Sequence, residues 1–456
     1  MSNELRANAL KYLWMQNKDW SQMAEDGEPS IFVKGEGIRV TDTEGNSYID
    51  VNAGYNSVNI GYGRSEITEE IYNQMLQVNY FPQGTTSKPT IELAKKLSDL
   101  TPGDLSRVFP VSGGSEANET ALKIARAYHV KRGDVNRNKI ISRRGSYHGT
   151  TAGVLWLGGG PPVASRDDFE PIYPNMIHGP QPNIYRCEFN SLNNSECAIK
   201  SANAIEDLIK FHGANTIAAV IAEPIAIPQG AIVPGDEYWP MLREICDKYG
   251  ILLIVDEVIC GFGRTGKMFA IEHWGIVPDI MTVAKGIISS YLPLAATIVR
   301  KEIADVFAHE DDYFRHTLTN SGHPVAAAAA LKNIEILENE KLISNSEIMG
   351  KYLKEQLEIL KTEHKIIGDV RGLGLLVAFE IVSDVNTKTK FASELSVPER
   401  LTEKFHKHGL IFKVSNEILN IGPPLSITLS EVDEIIHAID LSLWEIEDEL
   451  GLTAND

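Results

Sequence analysis

Two apolar runs in this chain end on groups that water would normally keep. Ile251 to Val255 leads into Asp256 and Glu257, and Ile280 to Ala284 leads into Lys285 and Gly286. Short, near-continuous apolar runs are the mark of strands buried on both faces. The spacing therefore places two carboxylates and an amine at strand ends, where open α/β sheets bind their ligands. A lysine there is expensive to bury unless it has a partner or a covalent use. Desolvation lowers its pKa and makes it a better nucleophile toward a carbonyl. Taken singly, each of these residues also reads as one half of a strand-end salt bridge.

Taken together, they match two requirements of pyridoxal phosphate, whose aldehyde needs a lysine and whose pyridinium nitrogen needs a carboxylate. The same cofactor needs a phosphate site and a cover for its ring. Ser112, Gly113, Gly114 and Ser115, followed by Glu116, Ala117 and Asn118, lie between a strand-like and a helix-like segment. Glycines there allow close backbone approach, and the helix N-terminus supplies N–H groups and a favourable dipole. Ser146 to Gly149 offers Tyr147 just after another strand, where an aromatic ring suits stacking. Alone, Tyr147 is as readily a core residue, and His148 a hydrogen-bonding loop residue.

The elements that must position these groups follow from periodicity. From about residue 90 helices and strands alternate: a helix over 89–100, a strand over 107–111, and a helix from about 116 to 132. Strands follow at 139–141, 218–222, 251–255, 280–284 and 295–299. This alternation predicts an α/β fold with a buried, largely parallel sheet covered on both faces. Residues 36–51 read as a hairpin turning at Glu44, Gly45 and Asn46. Residues 157–200, rich in Gly, Pro and Asn, read as a long irregular segment. After Pro324 an Ala-rich helix, 325–340, opens a C-terminal region that closes on an amphipathic helix near 430–448. No repeat with a period of 20 to 50 residues stands out.

Composition limits the function classes. The 456 residues include 43 Lys+Arg and 62 Asp+Glu, a formal charge of −19, with 43% apolar residues. That is globular composition, with room for two or three domains and a sizeable core. The acidic excess opposes binding to nucleic acid or to anionic membrane, and Lys131-Arg132 and Arg143-Arg144 are only pairs. Four cysteines, Cys187, Cys197, Cys246 and Cys260, show no CxxC spacing and suit a reducing compartment. Met1 to Lys11 has no apolar core of signal-peptide length, and no apolar run reaches the roughly 20 residues of a membrane span. A cytoplasmic enzyme without a metal is the expectation.

One motif points elsewhere. Gly261 to Gly266 fits G-x-G-x-x-G after a strong strand, and with Lys267 it falls one residue short of a Walker A loop. Met268 stands where a P-loop needs a hydroxyl, no amphipathic helix opens at Gly266, and no acid follows about 20 residues on. A structural turn is the better reading, and a nucleotide-binding ATPase module the distant alternative.

The ordered motifs are those of a known family. Asn59 to Arg64, Gly114 to Asn118, Ser146 to Gly149, Asp256 to Gly266, Ala284 to Gly286, Ser321 to Pro324 and Gly372 to Gly374 make the chain resemble the class III, omega-type aminotransferases of pyridoxal-phosphate fold type I. The resemblance implies a Schiff-base role for Lys285 and a ring-nitrogen partner in Asp256, with Val258 beneath the ring and Tyr147 above it. His148 and Glu223 would belong to the ring's surroundings, and Gly114 and Ser115 to the phosphate site. Thr319 would reach the phosphate of the neighbouring subunit, so the family implies a homodimer, or a tetramer of such dimers. It also implies a large domain over 61–325 and a smaller α+β domain built from 1–60 and 326–456. The implied reaction moves an amino group from an amine or omega-amino acid, such as taurine, β-alanine or a diamine, to a 2-oxo acid such as pyruvate. Epimerisation, aminomutation or decarboxylation on the same scaffold is the alternative. Tyr55, Asn56, Phe81 and Lys413 are the substrate-facing candidates. Many relatives carry Gly-Leu-Trp where this chain has Gly54, Tyr55 and Asn56, and arginine where it has Lys413, which otherwise reads as a solvated surface residue.

Overall fold

The computed structural model describes residues 2–16, 19–25, 29–82, 84–159, 167–169, 175–309, 312–412 and 414–452. Seven strands form its central sheet: β1 (Leu105–Val111), β2 (Lys139–Arg143), β3 (Met176–Gly179), β4 (Ile217–Ala222), β5 (Leu252–Asp256), β6 (Ile280–Val283) and β7 (Ala295–Arg300). Their order is β1-β7-β6-β5-β4-β2-β3. From β6 to β3 every pair is parallel, and β7 alone runs antiparallel, to both β6 and β1. Six strands therefore deliver their carboxyl ends to one edge of the sheet.

The apolar runs are continuous because the sheet is covered twice. Successive strand residues point to opposite faces. Ala219, Ile221, Leu252 and Ile254 pack with Ala121, Ile124 and Ala125 of the helix Gly114–Lys131. Their alternates Val220, Ala222, Leu253 and Val255 share a core with Ala198, Ala202 and Ile205 of the helix Asn194–His212 and with Trp239 and Leu242 of the helix Tyr238–Tyr249. Both faces are apolar, so only the strand ends are left to carry charge.

Two smaller sheets flank the site. The expected hairpin forms between Arg39–Asp42 and Ser47–Asp50, and Phe32–Glu36 adds a strand to it. Its other edge is a parallel pairing of Leu410 with Ile49 and Ile411 with Asp50, which joins the first fifty residues to the last fifty. A second four-stranded sheet, antiparallel throughout, comprises Ile367–Gly372, Val377–Ile381, Val414–Ser415 and Ile418–Ile421. The segment over 157–200 is less irregular than its composition indicates. It contains β3, a four-residue edge strand that is mostly half-buried and so shows neither a full apolar run nor an alternation. Among the described residues no helix is long and apolar enough to cross a membrane.

The two long C-terminal helices, Leu342–Glu363 and Leu429–Glu449, meet at a buried ion cluster. His364, immediately after the first helix, holds Glu447 through Nδ1 and Asp440 through Nε2, both at 2.9 Å. Its ring also packs against Trp444, with centroids 4.9 Å apart. Ionised carboxylates only accept hydrogen bonds, so both ring nitrogens must donate, as they do in the imidazolium. Burial alone would lower the pKa, but Glu447 and Asp440 outweigh it and raise it above the ordinary histidine value. A raised folded pKa gives stabilisation that is complete below the unfolded value, near 6.5, and that is lost as pH rises through the folded one. The His364→Gln variant should therefore melt well below the wild type at pH 6, by the loss of about 1.5–3 kcal/mol, and the gap should narrow toward pH 9. Calorimetry across that range checks this, and a gap independent of pH would refute it.

Candidate active site

The carboxyl edge of the sheet gathers the charged strand ends. Asp256 closes β5, Arg143 closes β2, Glu223 follows β4 by one residue, and Lys285 follows β6 by two. Asp256 is 3% exposed, and each of its oxygens is engaged. Oδ1 accepts from the Val258 N–H at 3.0 Å. Oδ2 accepts from Asn118 Nδ2 and pairs with His148 Nδ1, both at 2.8 Å. Asn118 is fixed in turn, donating also to the His148 carbonyl at 2.7 Å and accepting from Thr282 Oγ1 at 2.8 Å.

Behind Asp256 the charges alternate in sign. His148 Nε2 lies 3.9 Å from Glu223. Glu223 accepts from Arg143 Nη2 at 2.9 Å and, through its other oxygen, from the Tyr147 N–H at 3.0 Å. Burial works against every ion in this row. For His148, Glu223 and Asp256 overcome that cost and hold the imidazole above its ordinary pKa. For Glu223, His148 and Arg143 overcome it and hold the carboxyl below its ordinary value. The row is thus Arg⁺, Glu⁻, His⁺, Asp⁻, in which each buried charge has an opposite neighbour.

The adjacent carboxylate behaves differently. Glu257 is fully buried, accepts the Ile271 N–H at 2.7 Å, and leaves its other oxygen without a partner. With no cation beside it, burial raises its pKa to about 8, so Glu257 is protonated at neutral pH. Two neighbouring acids are held in opposite states by their surroundings, and only Asp256 offers a negative charge to the site.

Lys285 sits in the left-handed region at φ 50°, a costly conformation for a side chain that bears a Cβ. It opens a tight turn in which Gly286 is required, because a Cβ there would come within 2.4 Å of Asn59 Nδ2. Burial lowers the Lys285 pKa to about 8, against the opposing pull of Asp256 and Cys260. A substantial share of the amine is therefore neutral near physiological pH.

The remaining elements form a cradle. The helix Gly114–Lys131 begins at Gly113 without a side-chain cap, and a Cβ on Gly113 would meet nothing within 4 Å. Its first N–H groups have no partners within the helix. Gly114 packs so closely that a Cβ would touch Val258 at 3.0 Å and Ala284 at 3.7 Å. Ser115 Oγ accepts the Thr150 N–H at 3.1 Å. An open, uncapped helix end beside a buried carboxylate and a depressed lysine fits pyridoxal phosphate in all three of its chemical demands: anion, pyridinium and aldehyde.

The expected substrate-facing residues are dispersed. Tyr147 is half-buried, its hydroxyl pushed up by burial, then by Asp256 and Tyr55; Tyr55 is 85% exposed. Asn56 is buried at φ 57° and directed at Gly422, where an added Cβ would fall 2.0 Å from its Oδ1. Phe81 and Thr319 are both exposed. They lie together on the surface, where Tyr80 donates to the Thr319 carbonyl at 2.8 Å and Phe81 lines a groove with Gln74, Val78 and Pro89. Lys413 falls outside the described residues.

Sequence reasoning missed Asn118, Thr282 and Arg143. Arg143 reads in the sequence only as one of a basic pair, yet it is 1% exposed; its position at the end of an apolar strand is the signal that identifies it. The Gly261–Gly266 segment is a turn without a following α-helix. It carries Arg264 into the core, where the guanidinium donates to Asn59 Oδ1 at 2.6 Å, to the Leu375 carbonyl at 3.3 Å, and to the Pro423 carbonyl.

Comparison with known proteins identifies the family. Residues 22–443 match the family described as aminotransferase class-III. A taurine–pyruvate aminotransferase of Bilophila wadsworthia is 38% identical over 98% of this chain and 99% of its own. A putrescine–pyruvate aminotransferase of Pseudomonas aeruginosa is 40% identical over 92% and 91%. The crystal structure of an (S)-enantioselective omega-transaminase from Thermomicrobium roseum superposes with a TM-score of 0.94 at 41% identity, covering 97% of this chain and 98% of that one. Sharing the fold type I architecture and nearly its full length with these enzymes, the chain belongs to the class III aminotransferases and is pyridoxal phosphate-dependent.

Proposed function

We propose that the protein transfers the amino group of a small amine with a second polar end, of the taurine, β-alanine or diamine type, to pyruvate. The observation that carries this reading is that relatives sharing most of their length with this chain are named for pyruvate as acceptor and for taurine or putrescine as donor. Bound pyridoxal phosphate supplies an aldehyde that takes up the amino group and a protonated ring that accepts electrons from the donor carbon. Asp256, held in place by Asn118, His148 and the Val258 N–H, is the proposed holder of the ring-nitrogen proton. Lys285 is the residue assigned to the aldehyde and, once released, to moving a proton at the donor carbon. Gly114, Ser115 and the free helix end are assigned to the phosphate, with Val258 and Tyr147 on the two ring faces. Tyr55 and Lys413 are assigned to the substrate, Lys413 as a point charge for the pyruvate carboxylate.

The active unit in this reading is a cytoplasmic homodimer with shared sites. Two features support the dimer: Thr319 is exposed, and Tyr72, Met75, Leu76, Val78 and Phe81 leave a large apolar area uncovered. Residues 61–325 are proposed as the cofactor-binding domain, with 1–60 and 326–456 as the smaller domain; the strand pairing of Ile49 with Leu410 supports that grouping.

Four outcomes test the reading. Protein stripped of cofactor should regain its yellow absorbance on adding pyridoxal phosphate at a rate that rises with pH through a midpoint near 8, as the Lys285 ammonium gives up its proton. Lys285→Ala should fold yet show no borohydride-fixed cofactor, and labelling of another lysine would remove Lys285 from its role. In a donor panel with pyruvate, alanine should form fastest from taurine, β-alanine or putrescine, and a strong preference for 1-phenylethylamine would overturn the polar donor class. Thr319→Ala should hold cofactor about ten-fold more weakly, the loss of one hydrogen bond to a charged group. A monomer with full activity in sedimentation experiments would contradict the shared site.

A further inference from the structure

The turn that carries Tyr55 is strained, and one buried carboxylate holds it. Ala53 and Asn56 sit in the left-handed region at φ 45° and 57°, and Gly54 sits there too at φ 68°. A side chain that bears a Cβ adopts such a conformation only where its surroundings impose it. Asp50, the buried last residue of the strand Ser47–Asp50, supplies the constraint. Its Oδ1 accepts the Asn52 N–H at 3.1 Å, and its Oδ2 accepts the Gly54 N–H and the Tyr62 hydroxyl, both at 2.6 Å. Burial and then Asp50 raise the Tyr62 pKa, so the hydroxyl keeps its proton and donates.

The turn is fastened on both sides. Tyr62 exchanges backbone hydrogen bonds with Gly37, its N–H donating at 2.8 Å and its carbonyl accepting at 3.1 Å. Asn52 Nδ2 donates to the Asn420 carbonyl at 2.7 Å, and the Asn56 N–H returns to the Asn52 carbonyl, also at 2.7 Å. Asn59 follows shortly after. Its Nδ2 donates to the Phe262 carbonyl at 2.9 Å, and the same atom leaves room only for glycine at Gly286, next to Lys285. One end of the segment is therefore set by Asp50, and the other packs against the lysine turn. Tyr55 lies between them with its side chain exposed, so the backbone fixes where it stands.

We propose that Asp50 is a positioning residue for donor selection: it holds residues 52–56 in their strained form, which makes Tyr55 a fixed wall toward the amine donor. The inference rests on the assignment of Tyr55 to the substrate. A fixed wall excludes a bulky aryl group, whereas a turn free to relax toward ordinary backbone angles yields to one, and selectivity is the difference between the two donors. The Asp50 carboxylate acts through the backbone N–H groups of Asn52 and Gly54. It shapes the choice of donor without taking part in the chemistry.

The test compares Asp50→Asn, Tyr62→Phe and Tyr55→Ala with the wild type, each as cofactor-loaded enzyme with pyruvate as acceptor. In Asp50→Asn, whichever way the amide lies, one backbone N–H of the turn faces a side-chain N–H. Losing that hydrogen bond should lower kcat/KM for the fastest of taurine, β-alanine and putrescine, relative to 1-phenylethylamine, by about ten-fold. The loss should fall on the donor KM, with the yellow absorbance and cofactor content unchanged. Tyr62→Phe, which removes only a hydroxyl, should shift the ratio in the same direction, and it decides the matter if Asp50→Asn does not fold. Tyr55→Ala should shift the ratio at least as far. An equal fall for both donors, or an unchanged ratio, in the Asp50 and Tyr62 variants would overturn the positioning role while Tyr55 kept its place. A ratio unmoved by Tyr55→Ala would remove Tyr55 as the wall, and the proposal with it.

Discussion

A carboxylate buried away from water, whose oxygens must find their donors within the protein, governs this structure. Asp256 satisfies one oxygen with a backbone N–H and the other with Asn118 and His148, and the positive His148 requires Glu223, which requires Arg143. Removing one member strands the next as an uncompensated buried charge. The row is available only because β2, β4 and β5 run parallel and end together, so the topology of the sheet and the electrostatics of the site are a single constraint. Asn118 extends that constraint to a fourth segment, since the helix after β1 carries it to the same point.

Lys285 shows the complementary arrangement. Asp256 is surrounded by donors, whereas the lysine is buried with little water, in a backbone turn that Asn59 and Gly286 enforce. One environment stabilises charge and the other withholds stabilisation, a few residues apart across neighbouring strands. Glu257 illustrates how local this control is. One residue beyond Asp256, it loses its proton only at about pH 8 because no cation faces it.

Much of this was legible in the sequence, and the limits have physical causes. An apolar run ending on a charge marks both a buried strand and its functional end, so β5, β6, Asp256 and Lys285 could be read directly. The same reasoning applied to Ile140–Ser142 would have identified Arg143, but a neighbouring Arg144 gave it the look of a basic pair. β3 stayed hidden because three half-buried residues and one buried glycine carry no periodicity. The pairing of Ile49 with Leu410 spans most of the chain and leaves no local signature. Asn56 was expected at a pocket wall. Its left-handed backbone and its fit against Gly422 are long-range facts that residue type does not carry.

The buried guanidinium of Arg264 also bears on how the protein is made. Its acceptors come from Asn59, Leu375 and Pro423, and burial lowers its pKa to about 9, so it enters the core as a cation. During synthesis the first acceptor exists long before the arginine, but the other two leave the ribosome after it. Until then the turn beside Lys285 cannot close around a satisfied charge. The central sheet can assemble on the nascent chain while its active edge remains open, and the newborn enzyme becomes able to seal its site only when its C-terminal region arrives.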